Sequence, residues 1–162
     1  MKLFHSILLI VIILNVIFSK QKDLITLNKI SEITVTINGN GKQNILREPS
    51  VIPLPDEMIV NGSPKSPVYS YVENLDQLVN TITMRWNNPL TDCSNMFDIP
   101  TNIIEIDLTN FDTSQVTKMI CMFCGLPLLQ SLDLSSLDTS STLDMSYMFE
   151  GCQYLTSLDL ST

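Results

Sequence analysis

Apolar positions along this chain follow two different periods, and the change between them divides it. In "SEITVTINGNGKQNIL" apolar and polar residues alternate at Ile33, Val35 and Ile37, break at "NGNG" and resume at Ile45. Alternation around Asn-Gly predicts a strand entering a hairpin. Pro49, Pro53 and Pro55 exclude a central strand from the next stretch. "EMIV" then predicts a short strand ending in a turn at Asn61-Gly62, and Ile82, Met84 and Trp86 mark another strand by alternation. Residues 31–86 are therefore expected to form a small β-rich N-terminal cap region.

From residue 87 onward the pattern copies itself. "IDLTNFDTSQVTKMICMF" begins at Ile106, and "LDLSSLDTSSTLDMSYMF" begins 26 residues later at Leu132. Met-Phe recurs at 96–97, 122–123 and 148–149, and Asp-Leu at 107–108, 133–134 and 159–160, with no insertion. Fixed periods of this size signal stacked repeats, because one unit cannot bury its apolar stripe alone. Leu129, Leu132 and Leu134 follow an L-x-x-L-x-L pattern with the last two on one strand face; Ile103, Ile106, Leu108 and Leu155, Leu158, Leu160 are the equivalent sets. Val116, Met119 and Phe123 then sit at i, i+3 and i+7, with Thr142, Met145 and Phe149 as their copies, which predicts a short helix. Ser114 and Ser140 are its expected N-caps, after turns held by Asp112 and Asp138. The expected fold class is thus α/β: a short leucine-rich-repeat-like solenoid over 87–162, one strand and one short helix per 26-residue repeat, with about three repeats.

"MSYMFEGCQYLTSLDLS" and "FDTSQVTKM" resemble the repeats of the BspA-like leucine-rich repeat surface proteins. The resemblance covers 92–162, with "WNNPLTDCSNMF" from Trp86 as a degenerate first unit. It implies a secreted or cell-surface protein that adheres to other proteins. Gly-Cys after Met-Phe survives only at Gly151-Cys152, the earlier slots holding Ile99-Pro100 and Gly125-Leu126, and Cys93 stands where a repeat methionine belongs.

The N-terminus agrees with export. Lys2 precedes an apolar run from Ile7 to Phe18 broken only by Asn15, shorter than the ~20 residues a membrane-spanning helix needs. With Ser19 at its end, 1–19 reads as a signal peptide, and 20–30 as a linker. Only an uncleaved signal segment would touch the membrane. Asn61-Gly62-Ser63 fits a glycosylation acceptor, followed by Pro64.

Charge narrows the partners. The formal net charge is −8, and it is unevenly placed: residues 1–86 hold eight Lys/Arg against seven Asp/Glu, whereas 87–162 hold Lys118 alone against ten Asp/Glu. A phosphate-binding surface needs clustered cations, so nucleic acid is excluded as a partner of the repeats. Residues alternating with the buried leucines form the candidate binding face: Glu105, Asp107 and Thr109, then Ser131, Asp133 and Ser135, then Ser157, Asp159 and Ser161. Asp107, Asp133 and Asp159 would repel one another across a sheet, and a cation or basic partner would relieve that. The plainer alternative is a solvated polar face. The partners implied are extracellular or surface proteins.

Catalytic chemistry finds no support. The single histidine is His5, inside the signal segment, so no Ser-His or Cys-His pair exists in the mature chain. No catalytic, cofactor-binding or metal residue is assigned. Cys121-x-x-Cys124 has the spacing of a redox or zinc motif but no second pair beside it. Cys93 with Cys121 and Cys124 with Cys152 are each 28 residues apart, one repeat plus two, which permits two disulfides. A two-residue offset on a helix turns those side chains apart, which favours buried thiols. The second functional expectation is a structural or wall component that self-assembles, and the third a truncated copy of a longer repeat protein, since Thr162 follows a strand with no turn after it and leaves an edge open to self-association.

Overall fold

A computed structural model describes residues 30–46, 52–68, 71–97 and 102–159. The expected signal peptide, all but the last residue of the linker, and Leu160 and Ser161 lie outside the described residues. Nine strands form among the described residues: β1 (Ser31–Asn38), β2 (Gly41–Asn44), β3 (Glu57–Val60), β4 (Ser63–Lys65), β5 (Tyr71–Leu75), β6 (Val79–Trp86), β7 (Ile103–Asp107), β8 (Ser131–Asp133) and β9 (Ser157–Asp159).

The alternating N-terminal segments build an antiparallel sheet in the order β4-β3-β6-β1-β7. Ile33, Val35 and Ile37 of β1 and Ile82, Met84 and Trp86 of β6 point to one side and are fully buried or nearly so. β3 and β4 form a hairpin whose Asn61 and Gly62 have φ of 50° and 76°, the doubly positive turn that matches strand twist. The hairpin expected at "NGNG" does not form. β1 pairs with β6 and β7, and β2 leaves to pair with β5. Buried Asn80 explains the departure: its side-chain amide donates to the Gly39 carbonyl at 2.8 Å while the Gly39 amide donates to Leu78 O at 2.7 Å. Those bonds hold the chain where it turns away. Across the sheet, Arg85 sits in register between Glu32 and Glu57 and pairs with both. Strand β7 belongs to the repeats yet completes this sheet, so the sheet runs across position 87.

The α/β expectation is corrected by the repeats themselves. Among the described residues there is no helix; each 26-residue copy is a short strand followed by a succession of tight turns. In one copy Phe111 N donates to Leu108 O, Val116 N to Thr113 O, Met122 N to Met119 O and Leu129 N to Leu126 O, each an i→i−3 closure. A helix would need the intervening amides for i→i−4 bonds. Here they reach the next copy: Met119 N to Asp144 O, Cys121 N to Ser146 O, Phe123 N to Met148 O and Gly125 N to Glu150 O, at 2.8–3.0 Å. Asn95, Cys121 and Tyr147, one slot in three copies, have φ of 56–59°, a left-handed step that no helix tolerates. Ser114 and Ser140 cap no helix; their amides donate to the carboxylates of Asp112 and Asp138.

Copies stack in register. β8 and β9 run parallel with Leu132 opposite Leu158, and Lys118 forms parallel bridges with Asp92 on one side and Asp144 on the other. Phe97, Phe123 and Phe149 stack at centroid distances of 6.0 and 5.8 Å, with planes 12° and 7° from parallel. Val116, Met119 and Phe123 are buried as their spacing suggested, although turns and not a helix deliver them. Hydroxyls tie the layers further: Thr117 Oγ1 donates to Thr91 O, Thr142 Oγ1 to Val116 O, Ser141 Oγ to Ser114 O and Thr113 Oγ1 to Asp138 O.

Phe123 is packed between two rings, so Phe123→Ala should cost about 3–5 kcal/mol of stability, through lost burial and a cavity that neighbouring layers cannot fill. Chemical denaturation measures this directly. A midpoint unchanged from wild type would mean that the ring stack does not hold the copies together.

Candidate functional site

The candidate face falls where two sheets meet without joining. β7 bonds to β1 and β8 bonds to β9, with no strand ladder between β7 and β8. Ser136 Oγ crosses the junction to donate to Leu108 O at 2.9 Å. The interruption leaves a groove of about 360 Å³ whose polar lining is Glu105, Asp107, Thr109, Asp133, Ser135 and Ser136. Alternation aims these side chains outward while Ile106, Leu108, Leu132 and Leu134 turn into the core. Five of the nine expected face residues thus come together in the groove. Ser131 and Ser157 are exposed on the same parallel pair but outside it, Asp159 lies opposite Asp133 in backbone register, and Ser161 lies outside the described residues.

The aspartates have a local task as well. Asp107 accepts from the Thr109 amide at 2.9 Å and Asp133 from the Ser135 amide at 2.8 Å. Asp92, Asp112, Asp138 and Asp144 do the same two residues ahead, at Ser94, Ser114, Ser140 and Ser146. Asp-x-Ser/Thr is thus the turn-former of the repeat, an Asx turn in which the carboxylate substitutes for a backbone acceptor. The Thr109 hydroxyl, followed by its amide, holds the Asp107 carboxyl below its ordinary range. The Ser146 hydroxyl and amide, with Lys118 adding its charge, do the same for half-buried Asp144. Glu105 is held differently, accepting from the Thr36 hydroxyl on β1 at 3.1 Å.

Electrostatically the groove is a rim of three carboxylates with hydroxyls between them and, among the described residues, no Lys or Arg in its lining. Each aspartate directs one oxygen to its own turn, leaving the other to face solvent or a ligand. Such an array accepts hydrogen bonds and attracts cations.

Neither pairing across copies forms, and the favoured reading of buried thiols is corrected at Cys121 and Cys124. The bond closes within one turn, Cys121 to Cys124, and Cys93 and Cys152 are free. Stacking acts at 26 residues, not 28, so Cys93 occupies the slot of Met119 and Cys152 that of Leu126. The left-handed step at Cys121 and the bond from Cys124 N to Cys121 O bring the two Cα atoms to 4.9 Å, within disulfide range. The helical offset weighed against disulfides does not apply to a chain of turns. Burial pushes the Cys93 thiol up to about 12 and raises that of Cys152, whose Sγ donates to Phe123 O at 2.9 Å. Glu150 joins the Cys121–Cys124 pair in space, the ligand atoms of all three lying within 4.8 Å of one another. Adding 26 to Cys124 gives Glu150, so register arithmetic alone would have found this neighbour, as it would have found Lys118 between its two aspartates.

A family model described as "Mycoplasma protein of unknown function, DUF285" matches residues 69–162, more than half of the chain. No curated protein and no solved structure matches it.

Depressed carboxyls at Asp107 and Asp144 carry a pH dependence. The folded state holds their ionised forms more tightly than the unfolded chain does. The stability they supply is complete above the ordinary carboxylate pKa of about 3.9 and is lost as pH falls through the lower folded values. The melting temperature should therefore hold from neutral pH to about 5 and decline in acid. Asp107→Asn with Asp144→Asn keeps an acceptor in each turn but removes the titration, so its acid decline should be shallower. An acid limb as steep as the wild type's would show that these turns are not the source.

Proposed function

This chain belongs to the DUF285 family, and on that premise we propose that it is an exported surface repeat protein that binds basic segments of other proteins in the groove between β7 and β8. The observation that carries the reading is the groove itself: Glu105, Asp107 and Asp133 converge on about 360 Å³ with no cation in the lining among the described residues. The surrounding composition points the same way, since 87–162 holds one lysine against ten acidic residues. Such a field steers a positively charged partner and repels nucleic acid and anionic lipid. The resemblance to BspA-like surface proteins and the basic, apolar N-terminus support export and adhesion. The role is non-catalytic, in keeping with a sequence whose one histidine is His5.

A second reading rests on a different face. Leu143, Met145 and Tyr147 are 86%, 46% and 69% exposed, whereas Met119, the counterpart of Met145 one copy earlier, is fully buried. These three side chains form an exposed apolar patch, and the same patch on a second copy of this chain would cover it. Sedimentation velocity should then show a concentration-dependent dimer that Leu143→Glu with Met145→Glu returns to monomer. A wild type that stays monomeric at every concentration would remove this reading.

For the groove, the probe is a Lys/Arg-rich peptide titrated against the full chain by calorimetry. Glu105→Gln, Asp107→Asn and Asp133→Asn together keep the turn acceptors and discharge the rim. Affinity should fall by about tenfold or more, and wild-type binding should weaken as salt shortens the ~10 Å screening length. Equal binding by wild type and triple variant, or none by either, would overturn the proposal.

A further inference from the structure

We propose that Cys121, Cys124 and Glu150 form a redox-gated site for a thiophilic divalent cation such as Zn²⁺, shut while the two sulfurs are bonded to each other and opened by reduction. The site is separate from the groove and does not depend on the binding reading. Its three donor atoms lie within 4.8 Å of one another. Tetrahedral zinc, with bonds of about 2.3 Å to sulfur and 2.0–2.2 Å to carboxylate oxygen, needs its donors about 3.4–3.8 Å apart, so small side-chain motions suffice once the disulfide opens.

The backbone beneath the donors is held independently of the disulfide. Cys124 N donates to Cys121 O at 3.2 Å, Glu150 N to Tyr147 O at 3.0 Å, and Gly125 N to Glu150 O at 2.8 Å, which locks the two copies in register at the site. Opening the S–S bond leaves these in place. Access is graded as a gated site requires: Cys124 is buried, Cys121 half-buried and Glu150 exposed. The Cys124 sulfur also lies 2.9 Å from the Tyr147 carbonyl oxygen. A bonded sulfur has no proton for that oxygen, whereas the reduced thiol donates to it, a hydrogen bond that metal binding breaks when it takes the proton.

The reductant is a dithiol. One of its thiolates attacks the more accessible Cys121 Sγ, the S–S bond breaks, and Cys124 leaves as a thiolate that takes up a proton. The second thiol of the reductant displaces Cys121 and closes its own disulfide, so two electrons and two protons have passed to the pair. Metal binding then expels both protons, the two thiolates and the Glu150 carboxylate take three positions, and water takes the fourth. The other two cysteines lie outside the group of converging donors, and Cys93 is fully buried.

The test uses the full chain and Co²⁺ as a spectroscopic probe. A trialkylphosphine, which becomes its oxide with oxygen from water, reduces the disulfide without competing for metal as a dithiol would. After its removal under anaerobic conditions, one equivalent of Co²⁺ should produce a thiolate-to-metal charge-transfer band that Zn²⁺ abolishes. The oxidised protein should show no band. Cys121→Ser should lose the band, Cys152→Ser should keep it, and Glu150→Gln, an exposed change that spares the fold, should keep the band while weakening Co²⁺ binding by about tenfold or more. A reduced wild type without the band would overturn the proposal, as would a band that survives Cys121→Ser or an affinity unmoved by Glu150→Gln.

Discussion

Everything in the C-terminal half depends on one constraint: a residue must sit over the residue 26 positions away. The Phe97–Phe123–Phe149 stack is its clearest expression, with rings about 6 Å apart and nearly parallel. Backbone bonds from Met119, Cys121, Phe123 and Gly125 to the following copy enforce the same spacing. An insertion of one residue would move each of these amides off its acceptor and each ring off its neighbour. That explains why the phrase recurs without a gap. It also explains the absence of helix among the described residues, since amides that bond outward to the next layer cannot also bond inward along a helix.

Stacking at zero offset places like on like, and the chain handles the resulting charge in two ways. Where Asp92 and Asp144 would have had a third aspartate between them, Lys118 stands instead, producing an acid–base–acid column. The sheet has the same device in Glu32, Arg85 and Glu57. Asp107 and Asp133 have no such relief. Each of their carboxylates closes an Asx turn, and among the described residues no basic side chain lines the groove they share. A turn requirement within each copy therefore accumulates into an acidic surface feature across copies. The groove opens at this point because β7 is held by β1 while β8 is held by β9.

Much of this was legible in the sequence. The period of 26, the buried leucines, the buried Val116, Met119 and Phe123 and the outward face of Glu105, Asp107 and Asp133 follow from spacing alone. Helix was inferred from i, i+3, i+7 burial, but successive i→i−3 turns bring Val116, Met119 and Phe123 to the same side, so the pattern does not distinguish the two. The discriminating signal was Asp-x-Ser repeated inside the supposed helix, at Asp144-Met145-Ser146, where an Asx turn competes with helical bonding. "NGNG" misled for another reason: Asn80, 41 residues from Gly39, decides where the chain goes next. Local residue preference carries no information about such a partner.

The cysteines show how a fixed register separates scaffold from chemistry. One slot holds Leu126 in one copy and Cys152 in the next; another holds Cys124 and then Glu150. The first faces the core, and either occupant packs there as a hydrophobe, which is why burial raises the Cys152 thiol instead of activating it. The second is buried at Cys124 and exposed at Glu150, and its occupants carry a sulfur and a carboxylate into one another's reach. Because backbone bonds between layers hold the register, a substitution in an outward slot changes what the surface can bind without changing how the layers stack. The same freedom that puts acids along the groove puts a cysteine pair beside Glu150, and neither arrangement requires the core to move.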